Sequence, residues 1–189
     1  MSAAVRRYAV FLRGVNVGGV TLTSEKLLHI AHAAGFEHAR TLLASGNLLV
    51  ETDLDAGEVK SRIESALTEA CGTAVPCFVR SAQRLEKLLQ EDSSEPEGFH
   101  HYLLLASGDL WGALNEAYQA LSHAEGEALF PHAVDGSADV HWIVQKENTL
   151  GDFGSKVLGR QYREKLTSRN IRTVKKAVAV LDDPDAFKG

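Results

Sequence analysis

Three short segments of this chain hold the residue types from which an anion site is built. Arg13-Gly14-Val15-Asn16-Val17-Gly18-Gly19 sets a guanidinium beside three glycines. Glycine lets the backbone approach a ligand closely, and arginine grips a phosphate or carboxylate with two parallel N–H bonds. Ser45-Gly46-Asn47 adds a hydroxyl and an amide. Thr167-Ser168-Arg169-Asn170, with Thr173 close behind, adds a second guanidinium among polar neighbours. The candidate ligand-binding set is therefore Arg13, Gly14, Asn16, Gly18, Gly19, Ser45, Gly46, Asn47, Thr167, Arg169, Asn170 and Thr173. The chemistry it offers is recognition of a small phosphorylated or carboxylated molecule, and no catalytic residue stands out. The glycine segment lacks both the Gly-Lys-Ser/Thr of a P-loop and the Gly-x-Gly-x-x-Gly of a dinucleotide fold. A plainer reading runs beside this one: the glycines serve turn geometry, Asn16 and Asn47 tolerate left-handed backbone, and Arg13 pairs at the surface.

Other chemistry has thinner support. Ser45 follows an alanine and is not in Gly-x-Ser-x-Gly, so it is no nucleophile elbow. His29 and His32 lie three apart and His100 and His101 are adjacent, yet no His-Glu-x-x-His or Cys/His ligand set appears. Neither a metal nor a cofactor is implied. Cys71 and Cys77 fit no redox or zinc spacing and read as reduced, packed thiols.

Between residues 160 and 176 seven basic residues stand against the single acid Glu164. Read as a helix, this stretch puts Arg169, Arg172 and Lys176 on one face and Ile171, Val174, Val178 and Leu181 roughly opposite. Arg169 then sits at a helix start, where an anion would relieve its conflict with the helix dipole. A solvated basic face is the bland account of the same charges. An RNA-binding module and a scaffold for an acidic partner protein are the alternatives this segment raises. Against the first, the third strand Leu48-Leu49-Val50-Glu51 carries none of the aromatics on which bases stack.

The elements that must hold these residues follow from the apolar patterning. Tyr8 to Leu12 reads as a strand, and Ser24 caps a helix carrying Leu27, Leu28, Ala31 and Ala34 that Gly35 ends. Strands at 39–44 and 48–51 flank Ser45-Gly46-Asn47 as a hairpin. Asp55 and Glu58 form a capping box before a helix that stops at Gly72, and Val75 to Val79 is the next strand. This β-α-β-β-α-β order is the ferredoxin-like plait. Ser81 to Gln90 reads as a helix and 91–98 as a linker. Strand 99–106, a helix from Leu110 to Leu121, and strands 127–134 and 138–145 around Asp135-Gly136-Ser137 begin the order again. No last strand is evident; 155–166 and 168–181 read as two helices. The fold class is thus α+β, with two ferredoxin-like (α-β plait) subdomains at 1–90 and 99–189, the second irregular and ending in C-terminal helices. In a plait the first two strands finish at the same sheet edge, so the loop after Arg13 and the turn at Ser45-Gly46-Asn47 should stand side by side beside a helix N-terminus. Arg169 and Asn170 join them if the C-terminal helix folds back.

At 189 residues and 44% hydrophobic content the chain can bury a substantial interior. A net charge of −5 and a pI near 5.9 argue against coating nucleic acid by bulk electrostatics. No leader-like segment and no apolar run of about 20 residues is present, so a soluble cytoplasmic protein with no membrane partner is expected. Oligomeric state is left open.

Taken together, Tyr8-Ala9-Val10-Phe11-Leu12-Arg13-Gly14-Val15-Asn16-Val17-Gly18-Gly19, Thr41-Leu42-Leu43-Ala44-Ser45-Gly46-Asn47 and Thr167-Ser168-Arg169-Asn170 with Thr173-Val174 resemble a bacterial family, the domain of unknown function numbered 1697. The landmarks run from residue 8 to residue 174. The resemblance implies an α-β plait architecture in two subdomains and supplies no activity, cofactor or catalytic residue. This chain has Thr23-Ser24 where the family commonly has a methionine, and Ile171 where an aromatic often follows Arg-Asn.

Overall fold

An unbroken apolar run makes β1 (Arg6–Leu12) the natural centre of a sheet, since a strand buried on both faces needs no polar alternation. In the computed structural model, which describes residues 5–15, 21–43, 46–90, 92–132 and 139–188, β1 lies between β3 (Asn47–Thr52) and β4 (Cys77–Ser81). With β2 (His38–Thr41) outside β3, the order is β2-β3-β1-β4 and every neighbouring pair is antiparallel. The sheet register sets Phe11 opposite both Asn47 and Phe78.

Helices α1 (Ser24–Ala33) and α2 (Ala56–Cys71) cover one face. Leu27, Ile30, Val59, Ile63 and Leu67 pack there against Val10, Leu12, Leu48 and Val50. Ala9, Phe11, Leu49 and Phe78, on the other side of the pleat, are buried as well. Both helices start at a strong signal. The Thr23 hydroxyl accepts the Lys26 N–H, and Asp55 and Glu58 complete the expected capping box. Gly72 ends α2.

The remaining elements are α3 (Ala82–Gln90), β5 (Phe99–Ala106), α4 (Trp111–Gln119), β6 (Ala128–Pro131), β7 (Val140–Gln145), α5 (Asp152–Val157), β8 (Leu166–Asn170) and α6 (Ile171–Asp182). The second sheet has the order β6-β7-β5-β8, again antiparallel throughout, so its connectivity repeats that of the first. Two α-β plaits with helices near the C-terminus are thus the architecture. The expected turn at 135–137 lies outside the described residues.

Residues 155–170 differ from the sequence expectation. The helix expected over 155–166 is the short α5, ending at Val157; Gly159 then turns extended and leads into a 3-10 turn at Arg160–Tyr162. Leu166 to Asn170, expected to end one helix at Leu166 and open the last at Ser168, pairs with β5 instead, Leu103 opposite Arg169. The polar run Thr167-Ser168-Arg169 conceals a strand because an edge strand needs few apolar residues. Arg169 is therefore a strand residue, and α6 begins at Ile171.

The chain divides into two compact units, Met1–Glu86 with Lys175–Gly189, and Lys87–Val174. The last residues, expected in a second subdomain at 99–189, lie with the first unit. There Arg7 donates to the Leu181 and Asp183 carbonyls at 2.7 and 3.0 Å and to Glu51 at 2.7 Å. The same guanidinium lies 5.4 Å from the centre of the Phe187 ring, and His38 Nδ1 meets the Phe187 carbonyl at 3.1 Å.

Candidate functional site

In the first unit the ends of β1 and β3 and the start of α1 are tied together by a small set of bonds. The Leu12 N–H donates to the Gly46 carbonyl at 2.8 Å, and the next residue, Arg13, donates its N–H to Pro76 at 3.0 Å. Asn47 closes the hairpin twice over, accepting the Leu42 N–H at its carbonyl (3.0 Å) and donating Nδ2 to the Leu42 carbonyl (3.2 Å). The Ser24 hydroxyl donates to the Leu43 carbonyl at 3.4 Å, fastening the hairpin to the first residue of α1. Arg13, Gly14, Gly46 and Asn47 thus belong to one edge of one sheet.

This edge holds one strained residue beside two left-handed glycines. Gly14 and Gly46 have φ of 80° and 102°, a region glycine enters freely. Leu43 has φ of 58° and is 51% exposed, so it holds a costly conformation without a burial reward. Positions of this kind concentrate where the backbone is shaped for a ligand. Asn16, Gly18, Gly19 and Ser45 lie outside the described residues.

Thr167, Arg169, Asn170 and Thr173 belong to the second unit. Arg169 Nη1 donates to the Thr167 hydroxyl and to the Ser168 carbonyl, each at 2.8 Å, so the guanidinium is folded back along its own strand. The conflict between its charge and a helix dipole does not arise, because α6 starts two residues later. Asn170 serves that start, its Oδ1 accepting the Arg172 N–H at 2.9 Å while Nδ2 donates to Glu95 at 2.8 Å. Thr173 is half-buried within α6.

Glu95 anchors this end of the second unit. It pairs with Arg172 Nε at 2.6 Å and stands 3.4 Å from His100 Nδ1. Burial pushes its carboxyl up, but the bonds from Asn170 and His100, the Arg172 charge and the His101 backbone together hold it below its ordinary value.

One polar pair had no counterpart in the sequence reading. His101 and His141 are fully buried on β5 and β7, with Nε2 of the first 2.9 Å from Nδ1 of the second. His101 Nδ1 lies 2.6 Å from the Ser94 carbonyl, which only accepts, so Nδ1 carries the proton. Of the two ring nitrogens that face each other, His101 Nε2 and His141 Nδ1, one donates and the other accepts. The signal available in sequence was a histidine inside an otherwise apolar strand, twice: Phe99-His100-His101-Tyr102-Leu103 and Val140-His141-Trp142-Ile143.

A family model described as a protein of unknown function, DUF1697, matches residues 5–130. The chain belongs to the DUF1697 family. Its fold is also similar to the solved structure of the conserved bacterial protein SP0830 from Streptococcus pneumoniae, at a TM-score of 0.75. That likeness covers 95% of this chain and 100% of that one at 19% identity. No curated relative matches. Among the described residues no helix is long and apolar enough to cross a membrane.

Proposed function

We propose that this DUF1697 protein binds a small anionic ligand, phosphorylated or carboxylated, at the edge of its first sheet. The observation that carries the reading is the left-handed Leu43, held by Ser24 against the start of α1 and flanked by the turn at Gly46 and Asn47. In this reading Arg13 supplies the charge, Gly14 and Gly46 open the backbone, and Asn16, Gly18, Gly19 and Ser45 complete the loops. Asn47 positions the turn rather than the ligand, since its amide already serves Leu42. We also assign the protein to the cytoplasm, where the free thiols Cys71 and Cys77 stay reduced.

An RNA-binding role has less support. A plait that binds single strands offers an open sheet face, whereas Ala9, Phe11, Leu49 and Phe78 leave the first sheet buried on both sides. Arg172, a basic residue the RNA and scaffold readings both need, is paired with Glu95.

Thermal denaturation with inorganic phosphate, mononucleotides, sugar phosphates and dicarboxylates tests the proposal. A ligand at 100 times its Kd stabilises by about 2.7 kcal/mol, or about 5–10 °C for a chain of this size. Arg13→Ala should abolish the shift. A flat response across the panel, or an undiminished shift in Arg13→Ala, rules the reading out.

A further inference from the structure

The second unit contains a cleft of about 290 Å³, near the lower end of the range for small-molecule sites. Tyr118 of α4, Trp142 of β7 and Phe153 of α5 line it, with Glu127 beside them and the exposed His123 and Asp152 at its margin. The aromatic wall is ordered: Phe153 meets Tyr118 edge-on at 5.2 Å and Trp142 at 5.4 Å. Gly154 makes that arrangement possible, because a Cβ there would lie 1.9 Å from the Thr149 carbonyl oxygen and 3.1 Å from the Trp142 ring.

The charge of the cleft has one sign. Its lining includes two carboxylates and neither lysine nor arginine. Glu127 is fixed in place by three N–H donors, from Ala124, Gln145 and Asn148, each at 3.2 Å. These bonds orient the carboxylate and leave its net charge intact. An anion entering here meets repulsion, and a cation meets attraction from the carboxylates and from the faces of the aromatic rings.

Tyr118 supplies the independent observation. The residue is only 5% exposed, and its hydroxyl is buried without a hydrogen-bond partner. Burial, followed by the charge of Glu127, pushes its phenol up to about 12, so it remains neutral. A buried hydroxyl left unpaired is a standing cost, which a ligand bearing N–H donors removes. His123, stacked on the Tyr118 ring at 3.7 Å, is the side chain such a ligand displaces.

We propose that this cleft binds a small organic cation, its ammonium group donating to Glu127 and the Tyr118 hydroxyl and its flat apolar body resting on Phe153 and Trp142. Asp152 adds a second negative charge at the margin. None of these residues belongs to the anion site proposed for the first unit, so either reading stands or falls alone.

Isothermal titration of the full chain with benzylammonium, benzyl alcohol and benzoate tests it, since the three share a ring and differ in charge. Saturable one-site binding is expected for benzylammonium, with the alcohol and benzoate at least about tenfold weaker. Glu127→Gln should weaken benzylammonium about tenfold or more. Because that change also disturbs three hydrogen bonds, the marginal Asp152→Asn is the second variant, expected to weaken binding about threefold. Tyr118→Phe should weaken benzylammonium binding, which a purely structural tyrosine would not do, and should raise the melting temperature of the free protein by removing an unpaired hydroxyl. Equal binding of the three probes, no saturable binding of benzylammonium, or unchanged affinity in both carboxylate variants overturns the proposal.

Discussion

The two units share one topology and fill it differently. In the first, the interior is apolar and Asn47 is the one polar residue buried among those described; in the second, His101, His132, Asp139, His141 and Thr167 are all buried. The helix starts differ less: Thr23 and the Asp55–Glu58 capping box serve α1 and α2, and in the second unit the Asp109 carboxylate accepts the Trp111 N–H at the first residue of α4. One connectivity thus tolerates two interiors, one filled by apolar side chains and one that also holds polar side chains inside its sheet. The second is the more easily upset, because each buried polar group depends on a partner.

The contrast is open to attack in order of expected effect. Removing apolar volume from the first unit should cost most: Ile63→Ala should lower the unfolding free energy by about 2–5 kcal/mol in a denaturant titration. In the second unit, His141→Leu should cost about 1–3 kcal/mol by leaving the buried His101 Nε2 without its hydrogen-bond partner. The double variant with His101→Leu should cost less than the two singles combined, because both partners leave together; strict additivity would show that the pair is not coupled. Cap loss ranks third, with Asp55→Ala expected to cost about 1 kcal/mol by the same titration.

The smallest effect is an acid limb confined to the second unit. Glu95 is held below its ordinary value of 4.5 in the fold, so the unfolded chain binds its proton first as pH falls. Its contribution is complete above about pH 4.5 and is lost as pH drops through the folded value. Glu95→Gln should therefore lose less stability than the parent between neutral pH and pH 3, measured by thermal melts, and an unchanged slope would refute the assignment.

The parts legible in sequence were those with local causes. The Asp55–Glu58 box, the stop at Gly72 and the apolar run of β1 each depend on residues within one turn or one strand, and each appears where its pattern placed it. β8 was hidden because its place comes from β5, sixty residues earlier in the chain, and not from its own composition. The site divided along the same line. Gly14, Gly46 and Asn47 are backbone-shaping residues and were readable as such. The role of Asn170 was not, since it depends on Glu95, which the sequence presents as part of a solvated acidic stretch. The His101–His141 pair and the Tyr118 cleft arise from residues that only pairing and packing bring together.

Arg7 gives the chain an unusual order of assembly. The Leu181 carbonyl it grips is made 174 residues after it. A domain emerging from a ribosome ordinarily closes before the next begins. Here the whole of Lys87–Val174 is translated before Lys175–Gly189 arrives to finish the first unit, which makes the second unit an insertion in the timing of the first. A nascent chain stalled short of α6 would carry Arg7 and His38 without the carbonyls that receive them, and completion of the first unit waits on residues translated after the second.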